Sequence, residues 1–395
     1  MKKNLLSGVA LAGIVSFQAY AADTNAVSPI SVNIGGFLDF QTAIIDQKFD
    51  SGASNSGASL SGYTRGYHFV NDTEIHFNIS AATDNGLEYG AVIQLNADVD
   101  ADVDSDGSPA NKEYLWLQSD IGRLELGNNN GVDDSLKVDA STIARATGGA
   151  DGDFYRFINL TGDSGSDAGA IVATSSFITT PDLPANFTIA GREDATKISY
   201  YSPRLSGLQI GISFTPDEGD VGTASGLSGS SGTDQENVVA FGLNYERSYK
   251  NINFQISLTG ESGSAENGTT NDVAAWALGG LVNYNKFSVA GSWADWGDSD
   301  LSTSTLANDD QRFWTLGAAY EDGPVGLSLN YLQSVATLNG TGKDEFSNFI
   351  IGADYQLAAG LVPYVEANFF KADDNNAATA DNEGTVILIG AELGF

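Results

Sequence analysis

Hydrophobic and polar residues take turns along most of this chain with a period of two. From Ile30 the even positions carry Ile30, Val32, Ile34, Leu38, Phe40 and Ile44, while the odd positions carry Ser31, Asn33, Asp39 and Gln41. Side chains alternate between the two faces of a strand, so this spacing predicts an amphipathic strand over Ile30–Ile45. Ile75, Phe77, Ile79 and Ala81 repeat the pattern, and after Asp84-Asn85-Gly86 it continues through Leu87, Tyr89, Ala91, Ile93 and Leu95. Asn-Gly between two alternating runs is a strong tight-turn signal.

The same reading places strands at Glu113–Ser119, Arg123–Gly127, Thr196–Ser202, Gly207–Thr215, Glu236–Glu246 and Ile252–Gly260. It continues through Asp272–Tyr284, Phe287–Gly297, Gln311–Glu321, Pro324–Ser334, Glu345–Gln356, Gly360–Lys371 and Gly384–Phe395. The count comes to about sixteen, with short connections alternating with long ones rich in Gly, Ser, Asp and Asn. The short set includes Asp84–Gly86, Asp120–Gly122, Glu246–Asn251, Asn285-Lys286 and Asp322-Gly323. The long set includes Ser51–Gly62, Asp100–Lys112, Asp217–Asp234, Glu261–Asn271, Asp298–Asp310 and Ala372–Asn382, so the two sets fall at opposite ends of one sheet.

The final stretch, Gly384–Phe395, puts Ile387, Ile389, Ala391, Leu393 and Phe395 on one face and Leu388, Gly390, Glu392 and Gly394 on the other. An unpaired apolar edge invites aggregation, and pairing with the first strand removes it. The fold class predicted is all-β, a transmembrane antiparallel β-barrel of about sixteen strands. Tyr245, Tyr284, Tyr320 and Tyr355, each at the short-turn end of its strand, suit a girdle at a water–lipid boundary.

Composition adjusts this picture. Met-Lys-Lys, an apolar run from Leu5 to Phe17 and Ala19-Tyr20-Ala21 read as a signal peptide over residues 1–21, leaving a barrel domain over 22–395. That run is too short to span a bilayer as a helix. There is no cysteine, so disulfides do not stabilise the fold. Eighteen Lys+Arg against 51 Asp+Glu give a formal net charge of −33, which disfavours nucleic acid and attracts cations. With His68 and His76 the only histidines, no nucleophile, acid–base or metal spacing assembles, and no enzyme is expected.

The alternation stops from Asn128 to about Arg192, an interruption of roughly sixty residues, and loops of that length are usually functional or disordered. It holds Asp133, Asp134, Asp139, Asp151 and Asp153, with Lys137, Arg145 and Arg156. Folded inward it places carboxylates at a constriction, which favours cations; lying outside it is a solvated acidic loop. Wall candidates are Glu74, Arg123 and Lys197. Asp102, Asp104, Asp106, Gly107 and Glu113 fit the calcium-loop spacing, giving a candidate Ca2+ site, although strands flank it and Pro109 replaces the usual apolar residue.

Thr196-Lys-Ile-Ser-Tyr-Tyr-Ser-Pro-Arg-Leu-Ser-Gly207 resembles the Tyr-x-Ser-Pro-x-x-x-Gly hairpin that follows the constriction loop of Gram-negative trimeric porins. Ser119–Gly127 is similar to the turn and strand before that loop, and Phe395 matches their aromatic terminus. The resemblance implies a homotrimer in the outer membrane, bathed by lipid and lipopolysaccharide, whose third loop folds into the lumen. It implies passive diffusion of small hydrophilic solutes, and the acidic charge adds the expectation of a preference for cations. The family's cationic residue after the fifth strand is Asn128 here, and basic wall residues are sparse, so phosphate selectivity is not expected. The alternatives are a solute-specific channel, for instance for sugars, or a non-conducting barrel with adhesive or receptor loops.

Overall fold

The computed structural model describes residues 29–49, 65–98, 110–158, 177–187, 195–219, 234–301, 303, 310–338, 342–373 and 381–395. The expected signal peptide and the calcium-loop residues Asp102, Asp104 and Asp106 lie outside this set. The first eight strands are β1 (Ser31–Phe49), β2 (Tyr67–Ala82), β3 (Glu88–Asn96), β4 (Ala110–Ser119), β5 (Gly122–Asn128), β6 (Thr196–Tyr201), β7 (Leu208–Asp217) and β8 (Gln235–Tyr249). The rest are β9 (Ile252–Ala265), β10 (Val273–Tyr284), β11 (Phe287–Gly297), β12 (Asp310–Asp322), β13 (Val325–Leu338), β14 (Gly342–Tyr355), β15 (Leu361–Asp373) and β16 (Asn382–Gly394). Each pairs antiparallel with its sequence neighbours, and β1 pairs with β16 to close the barrel.

The closing seam is the one expected from the chain's last residues. Its register runs from Phe37 opposite Gly394 to Phe49 opposite Asn382. Phe395 donates its N–H to Gly36 O at 3.0 Å and accepts from Gly36 N at 3.1 Å, so pairing reaches the terminal residue. Boundaries differ where pairing outlasts alternation. Arg247–Tyr249 still pair with Ile252–Phe254, which shortens the expected Glu246–Asn251 connection to Lys250-Asn251. At the opposite end β9 runs on to Ala265.

Burial is inverted relative to a water-soluble fold. On β7, Ile210, Ile212 and Phe214 are exposed while Gly211, Ser213 and Thr215 are buried. Closure satisfies every strand's backbone groups, so the outer face is free to be apolar and to meet lipid. Tyr245, Tyr284, Tyr320 and Tyr355 stand at the short-turn end as expected, with Tyr245 against Phe254 (5.9 Å) and Tyr320 against Phe287 (5.0 Å). Trp276–Trp293 (5.0 Å), Trp314–Tyr331 (5.1 Å) and Phe349–Phe369 (6.4 Å) form a second band toward the long-loop end. Between the bands, Leu278 lies near the middle of β10, 49% exposed. Leu278→Arg should lower folding stability in lipid vesicles by roughly 2–4 kcal/mol, as for a cation at the bilayer midplane. A urea titration of vesicle-inserted protein checks this, and an unshifted midpoint contradicts the lipid-facing assignment.

Candidate functional site

Between β5 and β6, residues 129–158 lie inside the barrel and follow its inner wall. A short helix, α1 (Val132–Ser135), contacts β6 to β9; the 3-10 turn Ala140–Ile143 contacts β11 to β13; Gly149–Asp151 contacts β13 and β14; and Asp153–Phe157 contacts β16. The segment has little regular structure, so its buried amides need partners outside it. The wall supplies them one strand after another. Val132 N donates to Ser213 Oγ on β7 (3.0 Å), Val138 N to Ser257 Oγ on β9 (2.9 Å), Ala140 N to Thr315 Oγ1 on β12 (3.1 Å) and Arg145 N to Ser328 Oγ on β13 (2.9 Å). On β15, Glu366 accepts from Thr147 N (3.3 Å), Gly149 N (3.4 Å) and Thr147 Oγ1 (2.8 Å).

Small residues make this approach possible. A Cβ on Gly242 would lie 2.7 Å from Val132 O, one on Gly352 2.8 Å from Arg145 O, and one on Gly279 would overlap Val138 O. These inward glycines form a track the width of a polypeptide backbone, because any side chain there would hold the loop off the wall.

Beyond the track the contact becomes hydrophobic. Phe154, Phe157 and Ile158 pack on Leu332, Phe346, Ile350, Phe370, Val386 and Leu388, inward residues of β13 to β16. Phe154 stacks on Phe346 with ring centroids 6.3 Å apart. This core inside the barrel was announced by apolar residues on both faces of one strand, as in Phe349-Ile350-Ile351, Phe369-Phe370 and Val386-Ile387-Leu388-Ile389. A strand buried on both sides loses its alternation.

The loop's carboxylates are engaged mainly with other groups of the loop itself. Asp133 accepts from Asn186 Nδ2 and is 2% exposed. Asp139 caps the following turn, accepting from Ser141 N (2.6 Å) and Thr142 N (3.3 Å). Lys137 is the hub: its Nζ bonds Asp182 and lies 3.0 Å from Asp134, 3.8 Å from Asp139 and 3.9 Å from Asp151. Burial works against the charge of Lys137, but Asp182, Asp151 and Asp139 outweigh it and raise its pKa above the usual lysine range. Burial pushes the Asp139 carboxyl up, opposed by Lys137, and pushes Asp151 well up, with Asp182 and Asp139 adding to the effect. Asp153 accepts from Gln41 Nε2 and faces Arg156 (3.9 Å), which reaches Asp72 on β2 (2.8 Å). Arg145 spans to Glu321 (2.6 Å) and Asp354 (3.8 Å) near the short-turn end of β12 and β14.

Of the five loop carboxylates singled out in the sequence, Asp133, Asp134, Asp139 and Asp153 are buried between loop and wall, and Asp151 keeps partial exposure. Lys197 is also buried, donating to Asn129 O. Glu74 and Arg123 stand on the stretch from β2 to β5, which the loop reaches through the ion pair of Arg156 with Asp72. Glu113 faces outward on β4, exposed, on the same face as Leu115 and Leu117. The docking residues Ser213, Ser257, Thr315 and Ser328 were not singled out from the sequence. Small hydroxyl residues at inward positions are common in strands, and only their succession along the loop's path marks them.

A sequence profile describing Gram-negative porins matches residues 6–375. An uncharacterized protein of Rickettsia prowazekii is 25% identical with the whole of both chains aligned. A protein of Halomonas sp named as a monosaccharide porin is 23% identical over 95% of this chain and 96% of its own. Among solved structures, an anion-selective porin from Comamonas acidovorans superposes with a TM-score of 0.61 at 15% identity, covering 93% of this chain and 100% of that one. A mutant porin of Rh. blastica gives a TM-score of 0.53 at 17% identity, covering 92% and 100%.

Proposed function

This chain belongs to the Gram-negative porin family, and from that membership we propose that it forms a water-filled, cation-preferring channel for small hydrophilic solutes, working as a homotrimer. The family and the closed barrel indicate the outer membrane, and both are those of channels, not enzymes. The observation that carries the reading is the inward loop: its described residues contact the wall from β6 round to β16 and so occupy part of the lumen. Ionic preference follows from the sum of the chain's charge, 51 acidic groups against 18 basic ones, acting on ions at the channel mouths.

Reconstitution in a planar bilayer under a KCl gradient tests this. The expected result is a stable ohmic conductance with a reversal potential on the cation side. Absence of conductance removes the channel reading, and an anion-side potential removes the charge reading. Because Asp133 and Asp134 are buried among loop and wall groups, the double variant Asp133→Asn, Asp134→Asn should leave the reversal potential nearly unchanged. A collapse of selectivity in that variant would make those two residues the filter. The Halomonas relative supports a second reading, a channel specific for sugars, in which glucose would interrupt the current.

A further inference from the structure

Two carboxylates on the wall from β2 to β5 are already engaged. Glu74 accepts from His76 Nε2 (2.8 Å), Asn111 Nδ2 (3.2 Å) and Gln94 Nε2, and its side chain is 10% exposed. Glu125 accepts from Arg123 Nε (2.6 Å) and Asn129 Nδ2 (2.6 Å), and its side chain is 9% exposed. Both carboxylates are capped by donors and turned away from water. Arg123, on β5 near the short-turn end, keeps 29% of its side chain exposed.

Arg123 is also held in place. Its guanidinium carbon lies 4.7 Å above the Trp116 ring, and that ring lies over Gly90, where any Cβ would collide with it. Nε is spent on Glu125, Nη1 reaches Gln118 Oε1 at 3.4 Å, and the guanidinium also hydrogen-bonds the Tyr114 hydroxyl. A guanidinium stacked on indole and fixed along one edge loses little freedom when it binds, and its remaining N–H groups match a carboxylate.

We propose that Arg123, positioned by Trp116 and Glu125, is a docking point in the channel wall for the carboxylate of small zwitterionic amino acids. The proposal rests on the channel reading above and names a solute class for it. A net-negative chain disfavours simple organic anions. A zwitterion carries no net charge: its carboxylate meets Arg123 while its ammonium meets the net-negative field of the chain.

L-alanine, acetate and glucose serve as probes in two measurements. In single-channel recording, L-alanine should interrupt the current, with acetate weaker and glucose without effect. In detergent solution, saturation-transfer NMR should show L-alanine binding, which requires no conduction. Arg123→Gln should weaken both signals about tenfold or more, the scale of a lost charge-assisted hydrogen bond. Arg123→Lys, which keeps the charge but not the fork, should weaken them by less, and Trp116→Leu, which removes the ring beneath the guanidinium, should weaken them as well. Equal responses to L-alanine and glucose, acetate as strong as L-alanine, or an Arg123→Gln variant that binds as before would each overturn the proposal. No conductance with alanine binding intact would instead count against the channel reading alone.

Discussion

Lys137→Met should loosen the inserted loop at neutral pH and let it tighten again on acidification. The ammonium of Lys137 sits among Asp134, Asp139, Asp151 and Asp182, and its side chain is 13% exposed. Removing one partner of a buried ion cluster costs about 3–5 kcal/mol, because the remaining charges stay desolvated and repel one another. The pH response follows from Asp139 and Asp151, whose carboxyls are already pushed up by burial. A carboxyl with a raised pKa in the docked state binds its proton more tightly there than in the free loop. Docking therefore strengthens as pH falls through the window between the ordinary aspartate value and the raised one, and weakens as pH rises through it. Without Lys137 nothing offsets that repulsion, so the dependence steepens. Hydrogen exchange of residues 132–158, read at about pH 3.5, below the ordinary aspartate value, and at about pH 7.5, measures it. Equal protection of the variant at the two pH values would show that the cluster does not hold the loop.

The second large effect belongs to Gly279→Val. On β10 this inward glycine faces the Val138 carbonyl, and a side chain there occupies the place of the loop's backbone and crowds Ser257, which accepts from Val138 N. Overpacking of this kind costs roughly 1–3 kcal/mol. The loop rather than the strand should yield, since β10 is paired along its length with β9 and β11. The variant should then show a larger single-channel conductance and faster proteolysis within the loop, with the barrel's β-sheet circular dichroism retained. Gly280→Val is the control: the neighbouring position faces outward between Leu278 and Val282, the nearest atom to an added Cβ is Gln255 O at 3.7 Å, and conductance should not change. Similar conductance in both variants would remove the glycine track from the account of how the loop is seated.

Much of the barrel is legible in the chain because lipid and lumen impose opposite chemistry on alternate residues. A run such as Ile210, Ile212, Phe214 against Gly211, Ser213, Thr215 can be read directly. The interior is harder to read. Asp39, Gln41 and Glu366 were recognisable as inward residues, but that Asp39 accepts from Tyr364 Oη (2.8 Å), or that Glu366 caps loop amides, depends on contacts between residues hundreds of positions apart. The loop's aspartates were visible as charges, yet whether a charge faces water or a lysine is decided by the packing of Val132, Val138 and Phe154, which period-two patterning does not address. The double-sided apolar runs of β14 to β16 were the one local sign that something hydrophobic would lie inside.

The seam between β1 and β16 bears on how the barrel comes together. Every other strand pairing joins sequence neighbours, whereas this one unites the two ends of the described chain and so carries the greatest loop-closure entropy. The inserted segment bridges that junction from within: Gln47 Nε2 on β1 donates to Phe157 O at 2.8 Å, Gln41 on β1 bonds Asp153, and Phe154 packs in one cluster with Val386 and Leu388 of β16. Ring closure and loop seating are thereby thermodynamically coupled, the loop acting as an internal splint that favours the pairing with the largest closure entropy.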